Sequence, residues 1–325
     1  MPAIENQTET ASQTAVMKAI VHREYGEPGV LSVGQVAKPI PGEDDVLIRV
    51  VAAGASIGDH HVVTGKPYLC TNSGALARMG RIKLKGQPIP QFSNMSAFAE
   101  YQLVHQNACV QVPDDVPLEV AALVGCSVMT GVGAVTNTMK VPVGSTVAVV
   151  GAGGVGLNII QGAKLAGAAR IIAIDLLENK LASAKEFGAT DVVDASKGDA
   201  VQQVQAMTGG GVDFAFEAIG LAKTAEQCWA MTKRGGKAVV VGMIPMGASV
   251  SLPGPDFIFG EKSIHGSFYG STRQTYDMPW LMELYRQKRL KIDELISRRY
   301  SLDQINEAYA ALKNGEVNRS VIAFS

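Results

Sequence analysis

Cysteine is scarce in this chain of 325 residues, which contains four of them. They stand too far apart for a CxxC or CxxH metal motif and are too few for a disulfide framework: Cys70, Cys109, Cys126 and Cys228. This scarcity is typical of a protein in a reducing compartment. We therefore expect a cytoplasmic protein.

An excess of charge of either sign is also missing, because the formal net charge is -1. A nearly neutral chain lacks the excess of positive charge that binds the phosphate backbone of a nucleic acid. The one dense basic stretch is interpreted as a solvated hairpin rather than a phosphate-binding patch, and it consists of Arg78, Arg81, Lys83 and Lys85. No nucleic-acid partner is expected.

A hydrophobic run that spans a bilayer is not expected either. The most apolar long window, residues 147–160, is interrupted by glycines and runs into Gln161 and Lys164, so it is too short and too broken to span a bilayer. Residues 1–16 are polar and lack the basic and apolar regions of a secretory signal. We predict a disordered tail there and no membrane partner.

What the sequence does contain is enough apolar material, 47% of its residues, for two domains. Residues 17–56 are short β-branched runs cut by Gly and Pro, which is typical of a small strand-rich domain. From about residue 140, apolar strands alternate with helices, which predicts a parallel α/β sheet. The predicted strands fit a doubly wound order: TVAVV, RIIAID, DVVD, VDFAFEAIG, KAVVVG and SIHGSF.

After Gly270 the chain is predicted to be helical, over residues 279–288 and 303–314. In the second segment the apolar residues recur at helical spacing and are expected to share one face, with Gly315 as the stop: Leu302, Ile305, Tyr309 and Leu312.

The motif that points most clearly to chemistry is GAGGVG at residues 151–156. A strand precedes it and an amphipathic helix follows, which is the context that makes GxGxxG indicate dinucleotide binding. Gly151 permits the tight turn, Gly153 lets the backbone approach a pyrophosphate, and Gly156 lets the helix pack on the strand. The helix N-terminus then offers N–H groups to the phosphates. An ordinary glycine-rich turn is the alternative.

Asp175 ends the second predicted strand, 19 positions after Gly156. An acidic side chain there accepts hydrogen bonds from the adenosine ribose and repels a 2′-phosphate, so NAD is predicted over NADP. A helix N-cap is the alternative reading of Asp175, and the two roles are compatible.

Several stretches in combination resemble the zinc-containing alcohol dehydrogenases of the medium-chain dehydrogenase/reductase superfamily: FAEY at 98–101, VGCSVMTGVGA at 124–134, GAGGVGL at 151–157, FGATDVVD at 187–194, GSFYGS at 266–271 and INEAYAALKNGEVNRSVI at 305–322. The resemblance implies an α/β fold in which a Rossmann doubly wound parallel sheet is joined to a smaller, incomplete GroES-like β-rich domain. It places the NAD-binding domain at 129–271 and the GroES-like catalytic domain at 17–128 and 272–325.

The resemblance also implies cofactor contacts. Thr130 would contact the nicotinamide side, and Arg319 would pair with the pyrophosphate, for which a guanidinium fork is suited. A surface charge is the alternative for Arg319. Gly154 and Val155 would line the phosphate turn, and Lys180 would lie beside the adenosine ribose with Asp175. Three further residues would border the cofactor: Ile219, Gly242 and Tyr269.

The zinc ligands of that family are mostly missing. Ser56 stands where the first cysteine is expected, and the segment with the Gly-His-Glu motif and three structural-zinc cysteines is absent after Val63. Cys126 remains, and Asp59, His60 and His61 are further side chains of suitable chemistry. Adjacent histidines on a strand point to opposite faces, however, so at most one of them could join Cys126. We therefore predict no metal site, and a buried apolar role is the alternative for Cys126.

The predicted function is that of an NAD-dependent oxidoreductase, which transfers hydride between NAD(H) and a small alcohol, aldehyde or ketone. Ser56 and His61 would handle the proton, with Cys126 near the nicotinamide; the resemblance makes His61 a proton-relay histidine. The alternatives are a zinc-free quinone or enone reductase, which residues 56–69 resemble, and a degenerate NAD-binding protein. We expect a homodimer or homotetramer, with a strand at 250–260 as the pairing edge.

Overall fold

The computed structural model describes residues 15–21, 28–43, 45–55, 82–85, 87–89 and 97–324 of the chain. Short antiparallel strands form its N-terminal part, where β1 pairs with β2, β3 with β7 and β5 with β6: β1 (Val16–Val21), β2 (Ser32–Ala37), β3 (Asp45–Arg49), β4 (Ala52–Ala55), β5 (Ile82–Leu84), β6 (Gln87–Ile89) and β7 (Tyr101–His105). The β5–β6 hairpin confirms the hairpin interpretation for Lys83 and Lys85, which are both exposed. Arg78 and Arg81 lie outside the described residues.

A parallel sheet of six strands forms the centre of the protein: β8 (Thr146–Val150), β9 (Arg170–Asp175), β10 (Asp191–Asp194), β11 (Val212–Glu217), β12 (Thr232–Val240) and β13 (Ser263–Gly266). The strand order across it is β10-β9-β8-β11-β12-β13. This order reverses direction between β8 and β11, which is the mark of a doubly wound dinucleotide-binding sheet. The predicted strands and the predicted fold class are confirmed.

Helices cover the two faces of this sheet because β8 to β12 carry apolar side chains on both sides. Along β8, Val147 and Val149 belong to one buried cluster while Ala148 and Val150 belong to another. The helices are α1 (Leu118–Leu123), α2 (Met129–Gly133), α3 (Gly154–Leu165), α4 (Glu178–Phe187), α5 (Ala200–Thr208), α6 (Ala222–Met231), α7 (Gly254–Ile258), α8 (Gln274–Arg286) and α9 (Ile305–Lys313).

The helical stretch Leu118–Met139 contains α1 and α2, each followed by a π-helical turn, Val124–Val128 and Ala134–Met139. By length and composition it could cross a membrane, but 61% of its apolar window is buried inside the protein. Such burial is typical of a helix in the core of a folded domain, and one helix of this kind is weak evidence for a membrane span.

The C-terminal strands return to the N-terminal part of the chain. β15 (Arg319–Ala323) pairs in parallel with β14 (Ile296–Tyr300) and antiparallel with β4. Before β15, α9 buries Ile305 and Tyr309 and packs Leu312 on the same cluster, and Gly315 follows with φ +71°. The predicted face and stop of this helix are therefore confirmed, while the predicted domain boundaries stay a prediction.

Two local predictions were wrong. The expected strand at 250–260 is not formed, and α7 lies there instead, because Pro253 and Pro255 lack the N–H that a strand ladder needs and suit a helix start. The helix expected at 279–288 begins earlier, at Gln274, and ends at Arg286. Its first turn is stabilised by the carboxylate of Asp277, which accepts the N–H of Arg273 at 2.6 Å.

Candidate functional site

The glycine-rich turn lies between β8 and α3, at the point where the strand order reverses. Gly151 has φ +95°, and a Cβ there would lie 2.6 Å from Cγ1 of Ile219. A Cβ on Gly156 would overlap the carbonyl oxygen of Gly151. Gly153 differs, because its φ is -78° and nothing lies within 4 Å of the Cβ position. Packing therefore requires glycine at 151 and 156 but leaves room at 153.

The N-terminus of α3 and a buried arginine face each other. Gly153 is the N-cap of α3 and supplies no side-chain cap, so the first N–H groups of the helix are presented to whatever binds there. Arg319, 6% exposed, lies so close that a Cβ on Gly154 would overlap its Nε. The surface-charge alternative for Arg319 is therefore wrong. A helix N-terminus and a guanidinium together fit a pyrophosphate.

Asp175 ties the end of β9 to the glycine-rich turn. Its Oδ2 accepts the N–H of Ala152 at 2.8 Å, and its Oδ1 accepts the N–H groups of Leu176 and Leu177 at 2.8 and 3.1 Å. The alternative role as helix N-cap is not observed, because Leu177 is the N-cap of α4. The carboxylate is thus held beside the turn, where an adenosine ribose would lie in this fold.

Lys180 is 6% exposed and directs its ammonium group to the segment before β15. Its Nζ donates to the carbonyl of Val317 at 2.6 Å and to Oδ1 of Asn318 at 2.9 Å. Burial lowers the pKa of Lys180, an effect that the charge of Asp175 opposes and that of Arg319 increases. Lys180 therefore joins α4 to the C-terminal segment, and its contact with a ribose stays a prediction.

The other side of the turn is bordered by residues that follow β11 and β12. Ile219 is 44% exposed and lies over Gly151. Gly242 follows β12 and packs so closely on the backbone of Gly220 that a Cβ would overlap its nitrogen. Ile219 and Gly242 were predicted to border the cofactor, and the structure brings both to the edge of the sheet where the glycine-rich turn lies.

Cys126 lies in the first π-helical turn, and it is exposed. The buried apolar role considered for it is therefore wrong; a π-helical turn displaces side chains from the regular helical faces and is frequent at functional sites. The hydroxyl of Tyr269 donates to the carbonyl of neighbouring Gly125. Burial raises the pKa of Tyr269 to about 12, and the charge of Cys126 contributes. Thr130, half-buried, follows one helical turn after Cys126.

Tyr269 is held in place by a polar cluster that was not predicted. Three consecutive residues, 269–271, have positive φ angles, and the carbonyl of Gly270 accepts a hydrogen bond from Asn137 at 3.3 Å. Asn137 also donates to the buried carboxylate of Asp277 at 3.2 Å, and Thr138 is hydrogen-bonded to Ser271. The turn is thereby fixed to the second π-helical turn and to α8.

The residues predicted to move a proton, Ser56 and His61, lie outside the described residues, as do His60 and Asp59. Within the described ranges, no group of three or more His, Cys, Asp or Glu side chains is placed to hold a metal ion. The prediction of a zinc-free site and the proton-handling roles therefore stay predictions.

Comparison with known proteins agrees with this geometry. A family model described as "Zinc-binding dehydrogenase" matches residues 154–287. The chain is 38% identical over 266 residues to "Alcohol dehydrogenase class-3" of Pisum sativum, covering 80% of this chain and 70% of that protein. It is 34% identical over 328 residues to "Alcohol dehydrogenase-like 6" of Arabidopsis thaliana, covering 96% and 83%.

Solved structures are similar over nearly the whole chain. Benzyl alcohol dehydrogenase from Acinetobacter calcoaceticus has a TM-score of 0.86 at 28% identity, covering 95% of this chain and 99% of that one. A zinc-binding dehydrogenase from Sinorhizobium meliloti 1021, bound to NADP, has a TM-score of 0.77 at 27% identity, covering 95% and 100%.

Fold and site together define an oxidoreductase that uses a nicotinamide cofactor. Within that class, the chain belongs to the medium-chain dehydrogenase/reductase superfamily, as an alcohol-dehydrogenase-like member.

Proposed function

We propose that the protein is an NAD-dependent oxidoreductase that interconverts small alcohols with aldehydes or ketones and needs no catalytic zinc. The observation that carries the choice of NAD is the carboxylate of Asp175, which is held 2.8 Å from the N–H of Ala152 at the glycine-rich turn. A negative charge there accepts ribose hydroxyls and repels a 2′-phosphate. The relatives named as alcohol dehydrogenases support the substrate class.

The residues present fit such a cofactor. Arg319 and the N–H groups at the start of α3 would hold the pyrophosphate, and Asp175 would hold the adenosine ribose. On the other side, Thr130, Ile219, Gly242 and Tyr269 would border the nicotinamide half. When bound, the nicotinamide accepts or supplies the hydride, while the protein orients the substrate and manages the proton.

For alcohol oxidation, the carbinol carbon gives up a hydride and the hydroxyl gives up a proton. Ser56 and His61 are proposed to take that proton, and Cys126 is proposed to lie beside the reacting carbon. Tyr269 is unsuited to the role of base, because its pKa of about 12 keeps the hydroxyl protonated at ordinary assay pH. Its hydroxyl donates to the Gly125 carbonyl and so fixes the segment that carries Cys126.

To test the proposed function, the metal content of the purified protein is measured first. Its affinity for NADH and for NADPH is then determined by fluorescence titration. Turnover of alcohols, aldehydes, enones and quinones is then measured with and without a chelator. We expect tighter binding of NADH and chelator-resistant turnover of alcohols or carbonyls. Turnover of quinones or enones alone would favour the reductase alternative, and binding without turnover would favour the degenerate one. Failure to bind either nucleotide would refute the proposal.

We also propose that the protein is a cytoplasmic homo-oligomer that pairs at the β13 edge of the sheet. Among the described residues, β13 pairs with β12 alone, and large apolar side chains near this edge are exposed: Phe257 (44%), Ile258 (76%), Phe259 (72%) and Phe268 (76%). Apolar side chains grouped beside an open strand favour pairing with another copy.

The substitution Ile258→Lys is expected to shift the protein towards the monomer, because a charge would be buried in the proposed interface. Sedimentation velocity measures the change. Ile40→Lys is the matched control, since Ile40 is 84% exposed and lies in the N-terminal part of the chain. Equal effects of the two substitutions, or none from Ile258→Lys, would contradict pairing at this edge.

A further inference from the structure

A buried carboxylate ends the strand next to the glycine-rich turn. Glu217 is the last residue of β11 and is fully buried, although the rest of the strand is mostly apolar. β11 lies between β8 and β12, so Glu217 is located at the edge where the strand order reverses. Burying a carboxylate is energetically unfavourable, so its presence at this position needs a structural or functional explanation.

One oxygen of this carboxylate organises the chain that follows. Its Oε1 accepts the N–H groups of Ile219 at 2.9 Å and of Gly220 at 2.7 Å, and the hydroxyl of Thr224 at 2.8 Å. Hydrogen bonds to a charged acceptor are stronger than those between neutral groups. Glu217 therefore holds the turn 218–220 and the first turn of α6 in one arrangement.

The turn 218–220 is packed on both sides. Ile219 lies against Gly151, where a Cβ would come within 2.6 Å of its side chain. On the other side, Gly220 has φ +94°, and a Cβ there would lie 2.6 Å from the carbonyl oxygen of Met243. The position of this turn is thus coupled to the first glycine of GAGGVG and to the residues after β12.

The second oxygen, Oε2, is buried beside Gly242, and within the described part of the chain it has no hydrogen-bond partner. The carboxylate therefore carries the cost of a buried charge with one unpaired oxygen, which an apolar side chain would avoid. The carboxylate provides a single acceptor for three donors: two belong to the turn 218–220 that borders the glycine-rich loop, and the third, the hydroxyl of Thr224, belongs to the first turn of α6.

We propose that Glu217 is a positioning residue for cofactor binding: it sets Ile219 and the turn 218–220 against the glycine-rich loop without touching the cofactor. This inference rests on the proposed function, since it assumes that a nicotinamide cofactor binds along this edge. It assigns to Glu217 an effect on cofactor affinity rather than on the chemical step.

The test compares Glu217→Gln, Thr224→Val and Glu226→Gln with the wild-type protein. For Glu217→Gln we expect the dissociation constant for NADH to rise about tenfold, because a neutral acceptor holds the turn less firmly, with kcat at saturating cofactor within about twofold. Thr224→Val removes one of the three donors and is expected to raise the same constant about threefold. Glu226→Gln is the control, because Glu226 lies on the same helix and accepts the N–H of Ser251 at 2.8 Å.

Thermal unfolding of each variant separates positioning from stability. An unchanged dissociation constant in folded Glu217→Gln and Thr224→Val, with or without a lower unfolding midpoint, would overturn the positioning role. If Glu217→Gln does not fold, Thr224→Val decides the question alone. If the wild-type protein binds neither NADH nor NADPH, the proposed function is refuted. That result differs from unchanged affinity in the variants, which refutes only the positioning role of Glu217.

Discussion

Gly153→Ala is expected to weaken NADH binding by at least about tenfold while leaving the fold intact, since each lost charge-assisted contact to a phosphate costs about 1.5 to 3 kcal/mol. The backbone of Gly153 has φ -78°, which alanine adopts freely, and the Cβ position is open. The added methyl group would therefore meet the proposed pyrophosphate rather than the protein. Fluorescence titration measures the affinity.

The unfolding midpoint of this variant is expected to be unchanged or higher by up to about 2 °C, because alanine at a compatible position restricts the unfolded chain. Gly156→Ala is the contrasting variant. Its Cβ would overlap the carbonyl oxygen of Gly151, so it should destabilise the protein by about 1 to 3 kcal/mol and also lose binding. Wild-type affinity in Gly153→Ala would place the pyrophosphate elsewhere.

Asp175→Asn is expected to reduce the preference for NADH over NADPH by about 10- to 100-fold, because the charge that repels a 2′-phosphate and binds the ribose is removed. Asparagine keeps one oxygen that can still accept the N–H groups of Leu176 and Leu177. Its amide nitrogen cannot accept the N–H of Ala152, so the affinity for both nucleotides should fall, and the preference between them reports on the charge. The ratio of the two dissociation constants is the quantity to compare.

Asp194→Asn provides the matched control for this substitution. Asp194 ends the neighbouring strand β10 and stands directly opposite Asp175 in the strand register, but it bonds to Ser196 and Lys197 rather than to the glycine-rich turn. Its substitution should leave the ratio unchanged. A ratio that moves equally in both variants would indicate a general effect of charge at this edge and not a specific contact of Asp175.

The central sheet could be predicted from the sequence because its signals are local. Each strand is a short apolar run followed by a helix, and GAGGVG marks a turn where glycine is needed for φ at Gly151 and for packing at Gly156. The local pattern of apolar residues gave a wrong prediction at 250–260, where a strand was expected. The prolines there favour the start of a helix, and α7 forms instead.

The contacts of the candidate site were harder to predict, because they join distant parts of the chain. Nothing near Lys180 in the sequence indicates that its ammonium group bonds to Val317. The exposure of Cys126 depends on a π-helical turn that the spacing of apolar residues does not indicate. Glu217 did have a signal in the sequence, since it is an acidic residue that follows the apolar run Phe214–Phe216 at the end of a predicted strand. The donors that give it a role are brought to it only by the folded turn.

The contact between the α3 N-terminus and Arg319 has a consequence for the kinetics of folding. The segment that carries Arg319 is joined to α4 by the hydrogen bond from Lys180 to Val317, two residues that are 137 positions apart in sequence. Arg319 itself contacts Gly154 at the start of α3. Contacts over such separations form late, after local units have condensed. A refolding chain would therefore acquire its parallel sheet before it acquires nucleotide affinity, and the recovery of binding should lag behind the recovery of secondary structure.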